Sequence, residues 1–231
     1  MITLAVESSA IPVSVAISQD GLIVVENYVH TKQTHSETLM PIIEDILEIS
    51  KYSLKDIDLF AVSSGPGSFT GIRIGVSTVK GLAFTNNTPC CAVSTLEAIA
   101  FGAAVEGYVL CAVMDARCGQ VYNANFIWQD GELLRLCEDR ALSMEELSNE
   151  CQKSGKRILL CGDGALLCYQ EFRNWGAEIA HENVRFQRAG AVALIAEKMS
   201  EQKQTIDGTS LIPAYLRLSQ AERELKNRMR G

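Results

Sequence analysis

The chain has 231 residues, with 28 acidic against 21 basic side chains and a formal net charge of -7. Apolar residues make up 47% and charged ones 21%, the balance of a globular protein with enough chain for one large core or two small ones. The acidic balance argues against broad electrostatic capture of nucleic acid, and the longest apolar runs, such as residues 108–114, fall far short of the roughly 20 residues that cross a bilayer.

In chain order, ITLAVE (2–7) and PVSVAI (12–17) read as strands joined by a small polar turn, and Asp20-Gly21 gives a tight hairpin into a third strand, 22–29. Residues 36–50 carry Leu39, Ile42, Ile43, Ile46 and Leu47 at helical spacing. A short buried strand at 58–63 runs into a glycine-rich loop and a helix over 70–84, then a strand at 90–93 and a helix capped by Ser94. The second half repeats the order. Strands are predicted at 108–114, 120–128 and 133–140, with Asp130-Gly131 as a second hairpin turn. A helix over 144–153 opens with the capping-box pair Ser143 and Glu146. A strand at 157–162 and helices at 165–173 and 189–200 follow. Two runs of β-β-β-α-β-α imply two α/β lobes, each a mixed sheet in which an antiparallel meander is extended by parallel strands. The expected division is 1–104, 105–220 and a charged tail, 221–231, with PAYLR (213–217) anchoring on the second lobe.

Several local features bear on chemistry. Strand one ends in VESSA, whose Glu7 and Ser8 could hold Mg2+ or phosphate at the carboxyl end of a strand, or simply close a turn. In GPGSFTGIRIG (65–75), Gly65 and Gly67 permit turn conformations, and Ser68 or Thr70 can cap the helix. The stretch lacks the Lys-Ser/Thr of a Walker loop. Gly71 and Gly75 share one helix face, which fits close packing against another helix or, second, phosphate binding. Asp115 and Arg117 sit on a strand–turn–strand corner and could bind a ligand or pin the turn to each other.

His30, His35 and His181 form no HxxxH or HExxH, and no nucleophile elbow is present. Eight cysteines include no CxxC and lie mostly in apolar runs, as small hydrophobes in a reducing cytoplasm would. The N-terminus, MITLAVESSA, has no basic segment followed by a long apolar one, so no secretory leader is expected.

VESSAIPVSVAI, HSETLMPII, GPGSFTGIRIGVSTVKGLAF, VSTLEAIA, MDARCGQVY, GDGA and PAYLR, in this order, resemble the bacterial TsaB (YeaZ-type) family over essentially the whole chain. The resemblance implies an actin/sugar kinase/Hsp70-like fold of two RNase-H-like lobes. It also implies a part in making N6-threonylcarbamoyladenosine at adenosine 37 of tRNAs that read codons beginning with A. The implied partners are a catalytic paralogue, TsaD, a small ATPase, TsaE, and tRNA through the complex. A homodimer in the absence of TsaD is a further expectation.

Laid on the paralogue's pattern, Thr95 and Ile99 fall where it has a metal-binding histidine pair, so no catalytic residue and no metal are expected. Glu7 stands where the family usually has Asp, which leaves Glu7, Ser8, Gly65 and Gly67 as a weak, vestigial nucleotide site. No cofactor is expected to bind tightly, with ATP and Mg2+ acting at the level of the complex. The alternative is an active ATPase or kinase-like enzyme of the same fold. A metalloprotease is disfavoured by the missing ligands. The expected interface is formed by the two helices, through His35, Leu39, Ile42, Ile43, Ile46, Gly71, Arg73, Gly75, Thr78 and Leu82.

Overall fold

Alternating side chains on the strand at the chain's start set the layers of the first lobe. A computed structural model describes residues 1–31 and 33–217; the tail expected at 221–231 lies outside the described residues. β1 (Ile2–Glu7), β2 (Val13–Gln19) and β3 (Leu22–Val29) form the antiparallel meander, and β4 (Leu59–Gly65) and β5 (Cys90–Ser94) extend it in parallel, in the order β3-β2-β1-β4-β5. Leu4, Val6, Val15, Ile17, Phe60 and Val62 form one face of this sheet and bury α1 (His35–Ser50) and α2 (Phe69–Phe84). The opposite face presents Ala5, Ala16 and Ala61, small side chains that leave room for a helix backbone.

The second lobe repeats the arrangement. β6 (Val109–Asp115), β7 (Gln120–Gln129), β8 (Glu132–Arg135) and β9 (Arg140–Ser143) are antiparallel, while β10 (Ile158–Cys161) and β11 (Glu178–Ile179) are parallel to β6. The sheet order is β11-β10-β6-β7-β8, with β9 also on β7. Both hairpin turns have their Asp-Gly pair in left-handed conformation, φ 50° and 83° at Asp20-Gly21 and 53° and 80° at Asp130-Gly131, as a two-residue turn of this hand requires. α4 (Met144–Lys153) opens on the capping box foreseen at Ser143 and Glu146. α3 (Thr95–Gly102), capped by Ser94, lies between the lobes: Leu96 and Ile99 enter the second core while Ala98 packs on the first.

Four expectations need correction. The single strand expected at 133–140 is two strands, β8 and β9, because Arg135 turns back to pair with Asp139 and Glu97 at 2.5 and 2.9 Å. β11 and the one-turn α6 (Glu182–Arg185) follow α5 (Ala165–Phe172) without having been foreseen. Most consequentially, the chain returns to the first lobe after α6. α7 (Ala189–Glu201) lays Ala189, Ala193 and Ala196 on the alanine face of the first sheet. Ser14 Oγ accepts from Ala189 N at 2.9 Å and Glu26 Oε1 from Gly190 N at 3.0 Å, which satisfies two of the free N–H groups at the start of α7. Glu197 then accepts from Gly21 N at 2.7 Å and from Ser18 Oγ.

PAYLR likewise docks on the first lobe rather than the second. Ala214 N donates to Ser64 O at 2.7 Å, and Tyr215 stacks on Phe69 at 4.4 Å and 10°. Only Arg217 crosses the gap, donating to Ala116 O at 2.6 Å.

Candidate functional site

β1 and β6 are equivalent central strands, and their carboxyl ends, at Glu7 and Asp115, face one another near the crevice between the lobes. The glycine-rich segment is the other wall. A Cβ at Gly65 would lie 2.2 Å from Ala214 O, at Gly67 2.4 Å from Ser9 O, at Gly71 2.1 Å from Ser8 O and at Gly75 2.4 Å from Ser8 Oγ. Gly67 also needs a left-handed φ of 156°. The Gly71–Gly75 face therefore receives the β1–β2 turn of its own lobe, with His35 of α1 also 3.3 Å from the would-be Cβ of Gly71. Ser8 Oγ donates to Gly71 O at 2.9 Å, Ser68 N donates to Ser9 O at 2.7 Å, and Ser68 Oγ caps α2 by accepting from Gly71 N.

This packing also decides Glu7. The side chain is wholly buried, Oε1 accepts from Ser9 N at 2.6 Å, and Oε2 accepts from Ser63 Oγ. Burial pushes its carboxyl above the ordinary range, more strongly than the two serines hold it down. A carboxyl so enclosed, with both oxygens engaged, does not fit a magnesium nucleotide. Of the expected nucleotide residues, Glu7, Ser8 and Gly65 are absent from the lining of the crevice, and only Gly67 reaches it. Among the described residues, no three His, Cys, Asp or Glu side chains are grouped to hold a metal. Thr95 and Ile99 are both fully buried, Ile99 packing in the second core.

The crevice itself is a cleft of about 580 Å³. Ser9, His30, Phe69 and the α2 entrance line it from the first lobe; Asp115, Arg117, Tyr122, Asp163 and Phe186 line the other side. Asp115 Oδ1 accepts from Arg117 N at 2.7 Å, and Oδ2 pairs with Arg117 Nη1 at 3.1 Å, so the corner pins itself as one of the two sequence readings allowed. Arg117, Cys118 and Gly119 are consecutively left-handed, at φ 65°, 55° and 71°. Asp163, between two glycines after β10, is the residue that sequence reasoning missed. Burial first, and Asp115 second, push its carboxyl up to about 7. Its only sequence signal was a carboxylate in the GDGA block at a strand's end.

The interface residues separate into two sets. Leu39, Ile42, Ile43 and Ile46 are core residues beneath the first sheet, and Gly71 and Gly75 are covered by Ser8, so none of the six faces solvent. The apolar face expected at the interface is thereby mostly consumed inside the lobe. His35 is half-buried, with Nε2 donating to Ala10 O at 2.7 Å. Arg73 is exposed and donates to Tyr215 OH at 2.6 Å, while Thr78 and Leu82 are half-buried. What the two helices do present is Met40, Ile49 and Phe84, exposed by 41, 66 and 80%. Phe84 was not singled out from the sequence.

Residues 24–225 match the family model described as TsaD, tRNA N6-adenosine threonylcarbamoyltransferase. The chain is 31% identical over 226 residues to a protein of Escherichia coli named tRNA threonylcarbamoyladenosine biosynthesis protein TsaB, covering 96% of this chain and 97% of that one. It is 27% identical over 222 residues to the Bacillus subtilis protein of the same name, covering 96% of each. The structure of YeaZ from Pseudomonas aeruginosa superposes with a TM-score of 0.80 at 26% identity, covering 93% of this chain and 99% of that one.

Proposed function

The chain belongs to the TsaB family, within the wider TsaD-type family, and we propose that it is the non-catalytic subunit that binds a TsaD-type paralogue during threonylcarbamoylation of tRNA. A role in the biosynthesis of tRNA threonylcarbamoyladenosine follows from the family; the two-lobed α/β fold is that of the actin/sugar kinase/Hsp70-like superfamily. The subunit reading rests chiefly on Thr95 and Ile99. Where the paralogue's histidine pair would fall, this chain places a buried threonine and a core isoleucine, which are poor or impossible ligands for iron or zinc. The enclosed Glu7 counts in the same direction against the alternative of an independent ATPase. In this reading a TsaE-type ATPase and tRNA meet the protein in the assembled complex, and ATP is used there. No described helix is long and apolar enough to cross a membrane.

The surface that would meet the paralogue is the exposed flank of α1 and α2, where Met40, Ile49 and Phe84 leave apolar area in water. Two measurements test the proposal. Depletion of the protein should lower the modified nucleoside in digested bulk tRNA, as read by mass spectrometry, and unchanged levels would reject the role. Met40→Glu and Phe84→Glu, each at an exposed site, should stay folded by circular dichroism. At least one should lose co-elution with the TsaD-type protein; retention by both means that the flank is not the interface.

A further inference from the structure

The crevice between the lobes is lined by more acidic than basic side chains. Asp115 and Asp163 line it and Glu7 lies behind, while the basic group in its wall, Arg117, is 79% exposed and already paired with Asp115. No ion pair reaches Asp163 among the described residues. Its Oδ1 is buried without a hydrogen-bond partner, as is the hydroxyl of Ser9, a wholly buried residue that also lines the cleft. Unmade hydrogen bonds of this kind are costly in a folded protein, and their concentration at one cleft marks a place for a ligand's donors. The walls are aromatic. His30 and Phe186 meet edge to face at 5.3 Å, and Phe69 and Tyr122 also line the cleft.

We propose that this crevice binds a guanidinium or ammonium group, held by Asp163 and Asp115 with Ser9 accepting a further hydrogen bond. Acceptors joined to aromatic faces suit an organic cation, since ring faces attract positive charge and a guanidinium offers five donors in a fixed plane. A metal ion is a poor occupant because, among the described residues, no three His, Cys, Asp or Glu side chains are grouped to hold one. A phosphate is worse, since the carboxylates of Asp115 and Asp163 repel it. The inference stands apart from the partner reading above and survives its failure.

Burial and the neighbouring Asp115 push the carboxyl of Asp163 up to about 7; around it stand Asp115 from β6, Glu7 from β1, Arg117 of the β6–β7 turn and His30 beyond β3, with Arg217 at the crevice edge on Ala116 O. Arg185 of α6, whose carbonyl accepts from Gly162 N at 2.6 Å, directs its guanidinium onto the Phe186 ring at 5.1 Å. A cation that needs the ionised carboxylate therefore binds about tenfold more tightly at pH 8 than at pH 6, because the ionised share rises from about one-tenth to about nine-tenths. Calorimetric titration of the full chain with agmatine, with a short arginine-containing peptide, with magnesium ATP and with inorganic phosphate tests this.

Agmatine should bind at pH 8 with that pH dependence, and Asp163→Asn should weaken it at least tenfold and flatten the profile. Should Asp163→Asn fail to fold, the wild-type pH series and Ser9→Ala, expected to weaken binding several-fold, still decide. A peptide that binds more tightly than agmatine assigns the cation to a partner's side chain, and the reverse assigns it to a free small molecule. No heat with either agmatine or the peptide at millimolar concentration, a flat pH profile, or tighter binding of ATP or phosphate overturns the proposal.

Discussion

Replacing Gly71 with alanine asks whether the glycines of α2 serve the β1–β2 turn. Alanine is the better helix former, by about 1 kcal/mol, and an exposed helical glycine should gain that much on substitution. Gly81, on the same helix and with nothing within 4 Å of its would-be Cβ, is such a site. Gly71 is the opposite case, because its Cβ would sit 2.1 Å from Ser8 O, a backbone atom that cannot rotate away. The turn would have to retreat by more than 1 Å to reach ordinary van der Waals contact, which overpacking data put at roughly 1–3 kcal/mol. That retreat also stretches the bonds from Ser8 Oγ to Gly71 O and from Ser68 N to Ser9 O, worth about 1 kcal/mol each.

Less the helix gain, the net loss is about 2–4 kcal/mol, or roughly 4–16 °C in melting temperature for a chain of this size. Differential scanning calorimetry of the two variants reads this directly: Gly81→Ala should melt a few degrees above wild type and Gly71→Ala well below it. If both move upward together, the close approach is not a real constraint and the account of the glycine face is wrong.

Three further outcomes are expected. The folded pKa of Asp163 is raised from 3.8 to about 7, so this carboxyl's favourable contribution is complete below about pH 4 and lost as pH rises toward 7; melting temperature against pH should show Asp163→Asn gaining on wild type across that window, and parallel curves would refute it. Arg135 bonds Asp139 and Glu97 and stacks over Phe126 at 4.6 Å, with Asp139 also accepting from the Ser94 cap at 2.6 Å; urea unfolding should show Arg135→Ala losing about 2 kcal/mol and Arg135→Lys recovering only part, since lysine lacks the planar fork. Of the eight cysteines only Cys118 is exposed, and burial raises the Cys161 thiol to about 12, so a thiol reagent should label one site quickly and the buried ones only on unfolding; several fast sites would contradict the packing.

Local signals carried the elements of this protein. Period-two and helical spacing located nearly every strand and helix, the Asp-Gly pairs located both hairpins, and Ser94 and Ser143 with Glu146 located two helix starts. These patterns are legible because a turn or a cap is satisfied by neighbours in sequence. The repeated order of elements even implied two similar sheets, since parallel and antiparallel pairing follow from the connections that each order allows.

Tertiary structure decided where those elements meet. A glycine announces that something comes close but not what; at Gly71 and Gly75 it was Ser8, and at Gly65 it was Ala214, from a segment expected on the other lobe. An amphipathic helix shows that it has an apolar face without naming the surface that covers it, so Leu39, Ile42, Ile43 and Ile46 read equally well as interface and as core until the first sheet was found beneath them. The return of α7 to the first lobe depended on Ala5, Ala16 and Ala61 aligning across three strands into one shallow face, and Asp163 became a crevice residue only when β6 and β10 were laid side by side. These are contacts between residues far apart in the chain, and their free energy depends on shape and on desolvation that no stretch of sequence contains by itself.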